Sequence, residues 1–253
     1  MNWYWLYPAL FATGFAAGFV DSIAGGGGLI TLPVLLSLGM PPQDALGTNK
    51  LQACFGSGSA TFHYGAAGLI RWRDCRDGII FTAIGAVTGS ILVLRVDPGF
   101  LRQAIPVLLI AIALYLLLKS GIGAAATAPR MRLFSFNLVF GLAIGFYDGF
   151  FGPGTGSFWA MAYVLLLGFD LTRATAHTKV MNLTSNLGSL AVFLCGNHVW
   201  FLSGTVMGIG QLLGARLGSR AVIKQGGRLI RPIFISIVLI ISLKLLYTAF
   251  HRS

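Results

Sequence analysis

The chain is a succession of apolar runs, with nearly all of its charge confined to the short stretches between them. The runs cover residues 3–23, 29–38, 45–70, 78–94 and 101–118, then 134–151, 156–167, 174–194, 199–222 and 228–250. A helix needs about 20 apolar residues to span a bilayer, and most of these runs are long enough. The runs at 29–38 and 156–167 are shorter and reach only about 15–18 Å at 1.5 Å per residue. None alternates with period two, which excludes a β-barrel. Only 10% of the residues are charged, against about 25% in a soluble domain. A soluble globular enzyme and a disordered chain are both excluded on that ground. The expected fold class is an all-α polytopic membrane protein.

The formal net charge of +11 comes from 18 Lys and Arg against seven acids, all of them Asp. Such a basic chain can bind nucleic acid, but here the bases flank apolar runs, which marks them as membrane-flanking charge. No nucleic-acid partner is expected; membrane lipid is. Cys54, Cys75 and Cys195 form no CxxC pair and read as small apolar fillers. The first 24 residues lack a basic leader and a small-residue cleavage site, so they read as a retained membrane helix.

The ten runs form one pattern stated twice. Gly18-Phe19-Val20-Asp21 returns as Gly145-Phe146-Tyr147-Asp148. Gly25, Gly26, Gly27 and Gly28 return as Gly152, Pro153, Gly154 and Thr155. Ala45 to Lys50 returns as Ala174 to Lys179, and Gly85-Ala86-x-x-Gly89-Ser90 as Gly214-Ala215-x-x-Gly218-Ser219. Arg102-x-x-x-Pro106 returns as Arg228-x-x-x-Pro232. The expected organisation is therefore a first repeat over 1–120, a linker over 121–132 closed by Pro129, and a second repeat over 133–253, all in one membrane domain.

Charge placement distinguishes parallel from inverted repeats. If each half crosses five times, one side collects Arg71, Arg73, Arg76, Lys119, Arg130, Arg132, Arg173, Arg216, Arg220, Lys224, Arg228 and Arg231. The other side collects Arg95, Arg102 and Arg252. If the short runs are re-entrant, the two sides balance. The positive-inside rule favours the first arrangement: ten segments, inverted five plus five, with both termini outside the cytoplasm.

Three bases remain inside apolar runs: Lys50, Lys179 and Lys244. A Lys at a helix centre costs about 2.5–3.5 kcal/mol on insertion scales. Lys244 is near a run end and can snorkel. Lys50 and Lys179 occupy equivalent repeat positions, beside polar stripes at helical spacing. One stripe holds Thr178, Asn182, Ser185, Asn186 and Ser189; the other begins with Asn49, Gln52 and Ser59. These groups can line a substrate path or act as interhelical glue. Asp21 and Asp148 also pair across the repeat, next to the glycine-rich breaks. Each can position a lysine through a salt bridge, cap the broken helix or carry a coupling proton. His177 stands where the first half has Thr48 and can relay protons or serve as a hydrogen-bonded structural histidine.

The glycine runs interrupt their helices. The N–H groups freed at Gly25 to Gly28 and at Gly152, Gly154 and Thr155 then present positive dipole charge, as in transporters that hold anions on discontinuous helices. A dinucleotide-binding reading fails, because no strand–helix context surrounds these glycines. Gly14-x-x-x-Gly18, Gly141-x-x-x-Gly145 and Gly210-x-x-x-Gly214 mark close helix contacts. Trp3, Tyr4, Trp5, Trp72 and Trp200 read as interfacial anchors.

The strings from Phe19 to Gly28, Gly47 to Ala53, Gly145 to Ser157 and Ala174 to Lys179 resemble the TauE/SafE sulfite exporter family, closest to its YfcA-like branch. The resemblance covers nearly the whole chain and implies transport of sulfur-containing anions, such as sulfite and sulfonates, or of other organic acids across the cytoplasmic membrane. The reading that unites these features is a secondary transporter of small anions, possible proton coupling included, with substrate-binding residues Gly25, Gly26, Gly27, Gly28, Asn49, Lys50, Gln52, Gly152, Gly154, Thr155, Thr178, Lys179, Asn182 and Asn186. A passive anion channel and a membrane assembly protein stay open as alternatives. No zinc helix or paired-aspartate metal site is present in the sequence, so no enzyme, metal or cofactor is expected. A homo-oligomer is left open.

Overall fold

The computed structural model describes residues 3–118 and 126–226. Lys119, the start of the linker, the repeat motif at Arg228 and Pro232, the last apolar run with Lys244, and His251 and Arg252 lie outside the described residues. So do the side chains of Trp3 and Tyr4. Among the described residues there are nine helices and no strand. They are α1 (Trp3–Ala24), α2 (Gly27–Ser37), α3 (Pro42–Ala66), α4 (Trp72–Leu94), α5 (Pro98–Leu118), α6 (Leu133–Phe150), α7 (Thr155–Leu167), α8 (Leu171–Cys195) and α9 (Phe201–Gln225). They fall on the first nine of the ten apolar runs, within six residues at each end. Trp5–Ala24, Trp72–Leu94 and Leu133–Phe150 are long and apolar enough to cross a membrane by length and composition. The helices α3, α8 and α9 each have 25 residues, about 37 Å at 1.5 Å per residue, with polar side chains turned inward. Large apolar side chains such as Phe62, Val107, Phe134 and Leu202 face outward. This is an all-α, polytopic membrane protein.

The helices do not pack by sequence half. The most extensive contacts join α1 to α9 and α4 to α6. Adding α3 against α9 and α8 against α4 makes two three-helix groups: α1, α3 and α9, and α6, α8 and α4. Each group therefore borrows one helix from the other half of the chain. The small-residue motifs explain these contacts. A Cβ on Gly14 or Gly18 would run into the α9 backbone at Met207 or Gln211. One on Gly210 or Gly214 would meet α1 at Phe11 or Phe15. Gly85, Gly89, Gly145 and Gly149 do the same between α4 and α6. In lipid, where no hydrophobic force brings helices together, such close backbone approach is a main source of association.

The two groups meet along α3 and α8, which run antiparallel. Near the start of α3, Asp44 accepts hydrogen bonds from the Trp200 ring N–H and contacts His198 at 2.7 Å, both just beyond the end of α8. Just past the end of α3, the Arg71 N–H reaches His177 Nε2, early in α8. The short helices α2 and α7 are sheathed by protein. Leu29, Leu32 and Leu35 of α2 sit in one apolar cluster with Leu101, Phe193 and Met207. Trp159, Tyr163 and Leu167 of α7 sit in another with Ile23, Phe136 and Met181. Non-helical backbone at membrane depth needs such shielding. The described part of the linker lies along the α7–α8 turn, with Thr127 N–H donating to the Gly168 carbonyl and Arg130 N–H to that of Leu166.

Candidate functional site

Two chain breaks cross at the centre of the bundle. The helix α1 ends at Ala24, and Gly25 and Gly26 adopt φ of +69° and +150° before α2 begins. The helix α6 ends at Phe150, and Gly152 and Gly154 adopt φ of +95° and +78° before α7. Only glycine takes these values without strain. The breaks touch: a Cβ on Gly25 would collide with the Gly156 backbone, and one on Gly28 would contact Pro153. The carbonyls freed at the end of α1 find a partner across the crossing. Ser157 Oγ donates to the Gly25 carbonyl at 2.7 Å and the Ala24 carbonyl at 3.0 Å.

Each lysine reaches into the opposite group. Lys50 of α3 donates to Asp148 Oδ1 at 2.6 Å and to the Asp148 carbonyl. Lys179 of α8 donates to Asp21 Oδ2 at 3.0 Å and to the Asp21 carbonyl. Both lysines are fully buried. The cation thus does two things at once, neutralising a carboxylate and satisfying a carbonyl at the end of a broken helix, where positive charge is favoured. The two pairs span the interface between the three-helix groups. The aspartates differ beyond this. Asp21 Oδ1 also accepts from Gly26 N–H at 3.0 Å and Gly27 N–H at 3.2 Å. Asp148 Oδ2 instead accepts from the Ser185 hydroxyl.

Between the breaks lies a polar cavity of about 30 Å³, room for roughly two waters. Its walls include Asp21, Gly26, Gly27, Gly28, Asn49, Asp148, Gly152, Gly154, Thr155, Asn182 and Asn186 from among the expected site residues. Five of the remaining expected residues sit behind this wall. Lys50 and Lys179 are engaged as above. Gln52 Nε2 donates to Asn49 Oδ1 at 2.7 Å, as does the Thr31 hydroxyl at 2.6 Å, so Gln52 positions a wall residue. The Thr178 hydroxyl turns back to the Ala174 carbonyl, and Gly25 makes the crossing itself. His177 also lies away from the cavity, held by the Arg173 carbonyl and the Arg71 N–H and packed against the rings of Tyr163 and Phe169. Its repeat partner Thr48 receives the Trp200 N–H in the same way. The structural alternative for His177 therefore accounts for its contacts.

Two wall residues, Ala53 and Gln211, escaped the sequence reading; a third, Gly156, ends the glycine-rich break from Gly152 that the sequence places at the anion site. Gln211 is an amide within an apolar run, one residue after a glycine that marks a helix contact. That intramembrane polar residue was the available signal. The structure also corrects one register. The N-caps of α2 and α7 are Gly26 and Gly154, whereas the sequence repeat places Gly26 opposite Pro153. Pro153 acts as an extra residue between the aspartate and the second half-helix.

Comparison with known proteins agrees with this architecture. The family model described as Sulfite exporter TauE/SafE matches residues 10–245. The chain is 48% identical to "Probable membrane transporter protein YfcA" of Escherichia coli (strain K12), over 96% of this chain and 90% of that protein. It is 44% identical to a "Probable membrane transporter protein" of Haemophilus influenzae, over 96% and 95%. It is 30% identical to "Probable membrane transporter protein YunE" of Bacillus subtilis, over 95% and 97%. No solved structure matches it. The chain belongs to the sulfite exporter TauE/SafE family of multi-pass membrane proteins.

Proposed function

We propose that this protein is a secondary transporter of small anions, sulfur oxyanions or organic acids, in the cytoplasmic membrane. The observation that carries the reading is the small polar cavity at the crossing of two broken helices, walled by backbone N–H groups and amides and tied shut by two buried ion pairs. An anion of four or more heavy atoms is larger than the present cavity, so the site must widen to load it. That requirement suits a carrier rather than a standing pore. We place two inverted repeats behind the movement. The antiparallel run of α3 against α8 and the matched contacts of α1 with α9 and α6 with α4 support a two-fold axis in the membrane plane. The bodies that rock are then the two three-helix groups, with the pairs Lys50–Asp148 and Lys179–Asp21 as ties between them. An aspartate released from its lysine can take up the coupling proton.

Purified protein in proteoliposomes tests this directly. Saturable uptake of sulfite or a sulfonate, trans-stimulated by unlabelled substrate inside, is the expected result, and a pH gradient should accelerate it. Passive flux without trans-stimulation would identify a channel instead. Topology is checked in a cysteine-free background. Gly68→Cys, after α3, should react with impermeant reagent only from the cytoplasmic side, and Asn197→Cys, after α8, only from the opposite side. Labelling of both from one side would exclude the inverted arrangement.

A further inference from the structure

The two half-helices begin differently, and the difference selects one of them. Gly26, the N-cap of α2, follows Asp21 by five residues; Gly154, the N-cap of α7, follows Asp148 by six. The shorter spacing lets the Asp21 carboxylate fold onto the start of α2 and take the Gly26 and Gly27 N–H groups. The start of α2 therefore already holds an anion. With the additional residue, Asp148 points to Lys50 and Ser185 instead. The start of α7 carries no carboxylate, and the Gly154 and Gly156 N–H groups find no acceptor among the described residues, whereas at the start of α2 the Gly28 N–H is left without one beside the Asp21 carboxylate.

The side chains show the same bias. Asn182 and Gln211 are 5% and 3% exposed and line the cavity. Neither amide makes a side-chain hydrogen bond among the described residues: the NH2 groups of both lack acceptors, which an anion supplies, while the buried Asn182 Oδ1 is an acceptor that an anion leaves unserved. Asn182 Nδ2 lies against Gly156, 3.0 Å from the position a Cβ there would take. The position in α3 equivalent to Asn182 is Ala53, which brings no donor to the cavity. A buried amide left without a partner is destabilising unless something occupies it. The four charged side chains around the cavity, Lys50, Asp148, Lys179 and Asp21, sum to zero. The remaining attraction for an anion is one helix N-terminus, equivalent to about half an elementary charge.

We propose that the cavity takes a singly charged oxyanion, held at the N-terminus of α7, the half-helix start that carries no carboxylate, with the amides of Asn182 and Gln211 donating to its oxygens. A doubly charged anion is selected against, because its second charge would be buried without a partner. The inference rests on the anion-transporter reading above and assigns that site its charge class, its orientation and a specificity residue, Gln211.

The test is competitive flux through the full chain in proteoliposomes, with methanesulfonate and 2-hydroxyethanesulfonate as singly charged probes and sulfate as the doubly charged one. The expected result is at least a tenfold preference for the sulfonates. Gln211→Ala should raise the KM for methanesulfonate about tenfold. Asn182→Asp, which keeps the side-chain shape, puts a carboxylate where the anion sits. It should abolish flux while the thermal midpoint of the purified protein stays at or above that of the parent. Sulfate carried as well as the sulfonates would overturn the inference while leaving anion transport standing, as would an unchanged KM in Gln211→Ala or normal flux in Asn182→Asp. No flux of any anion would overturn both readings together.

Discussion

Lys50→Ala is expected to be the more damaging of the two lysine truncations, by a clear margin. It leaves Asp148 with its side chain 5% exposed and with the Ser185 hydroxyl as its remaining partner. Removing one member of a buried ion pair costs about 3–5 kcal/mol, because the other charge stays behind unpaired. In Lys179→Ala the orphaned Asp21 keeps two backbone N–H donors and a side chain that is 20% exposed. The same substitution should therefore be milder there. Thermal unfolding of the purified proteins in detergent checks the order. The double variant Lys50→Ala/Asp148→Ala should recover much of the stability lost in Lys50→Ala, since no charge is left buried. It should not recover flux if the tie works in transport. Equal loss in the two single variants would mean that the helix cap on Asp21 does not relieve its charge.

Gly25→Ala carries the second large effect. The residue is left-handed, which costs a non-glycine residue about 1–2 kcal/mol, and its new Cβ would also strike the Gly156 backbone where the two breaks cross. Neither backbone can yield without separating α1 from α7. Folded yield and flux should both collapse. Gly39→Ala is the control: its φ is +80°, but nothing lies within 4 Å of the added Cβ. It should lose only the conformational part, leaving a folded and active protein. A Gly25→Ala protein as stable as Gly39→Ala would show that the crossing has room to relax.

Much of this architecture is written locally in the chain. Hydropathy places the nine described helices to within six residues at each end, since a lipid-facing helix has to be apolar along its length. The breaks at Gly25 and Gly152 are legible because glycine and proline act on their own backbone. Repetition marks Asp21, Lys50, Asp148 and Lys179 as important without any contact being known. The small-residue motifs name the close surfaces of α1, α6 and α9, though not which surface meets which.

Partnership was decided only in three dimensions. Either lysine could have met either aspartate; the antiparallel meeting of α3 and α8 sends each one to the opposite half of the chain. The exchange of α4 and α9 between halves follows from backbone contacts at Gly85, Gly89, Gly210 and Gly214, whose i, i+4 spacing marks a close surface but whose partners lie far apart in the chain and are not marked by it. One residue, Pro153, makes the start of α7 unlike that of α2, yet its effect depends on where the Asp148 carboxylate can reach once the helices have crossed. By itself the sequence determined where the chain is helical, where it breaks and which charges lie within the membrane, because each of those follows from a residue and its near neighbours. The tertiary structure alone decided which charges cancel, which amides are left without partners and which helix end stays open to an anion, because those depend on distances between segments that only packing sets.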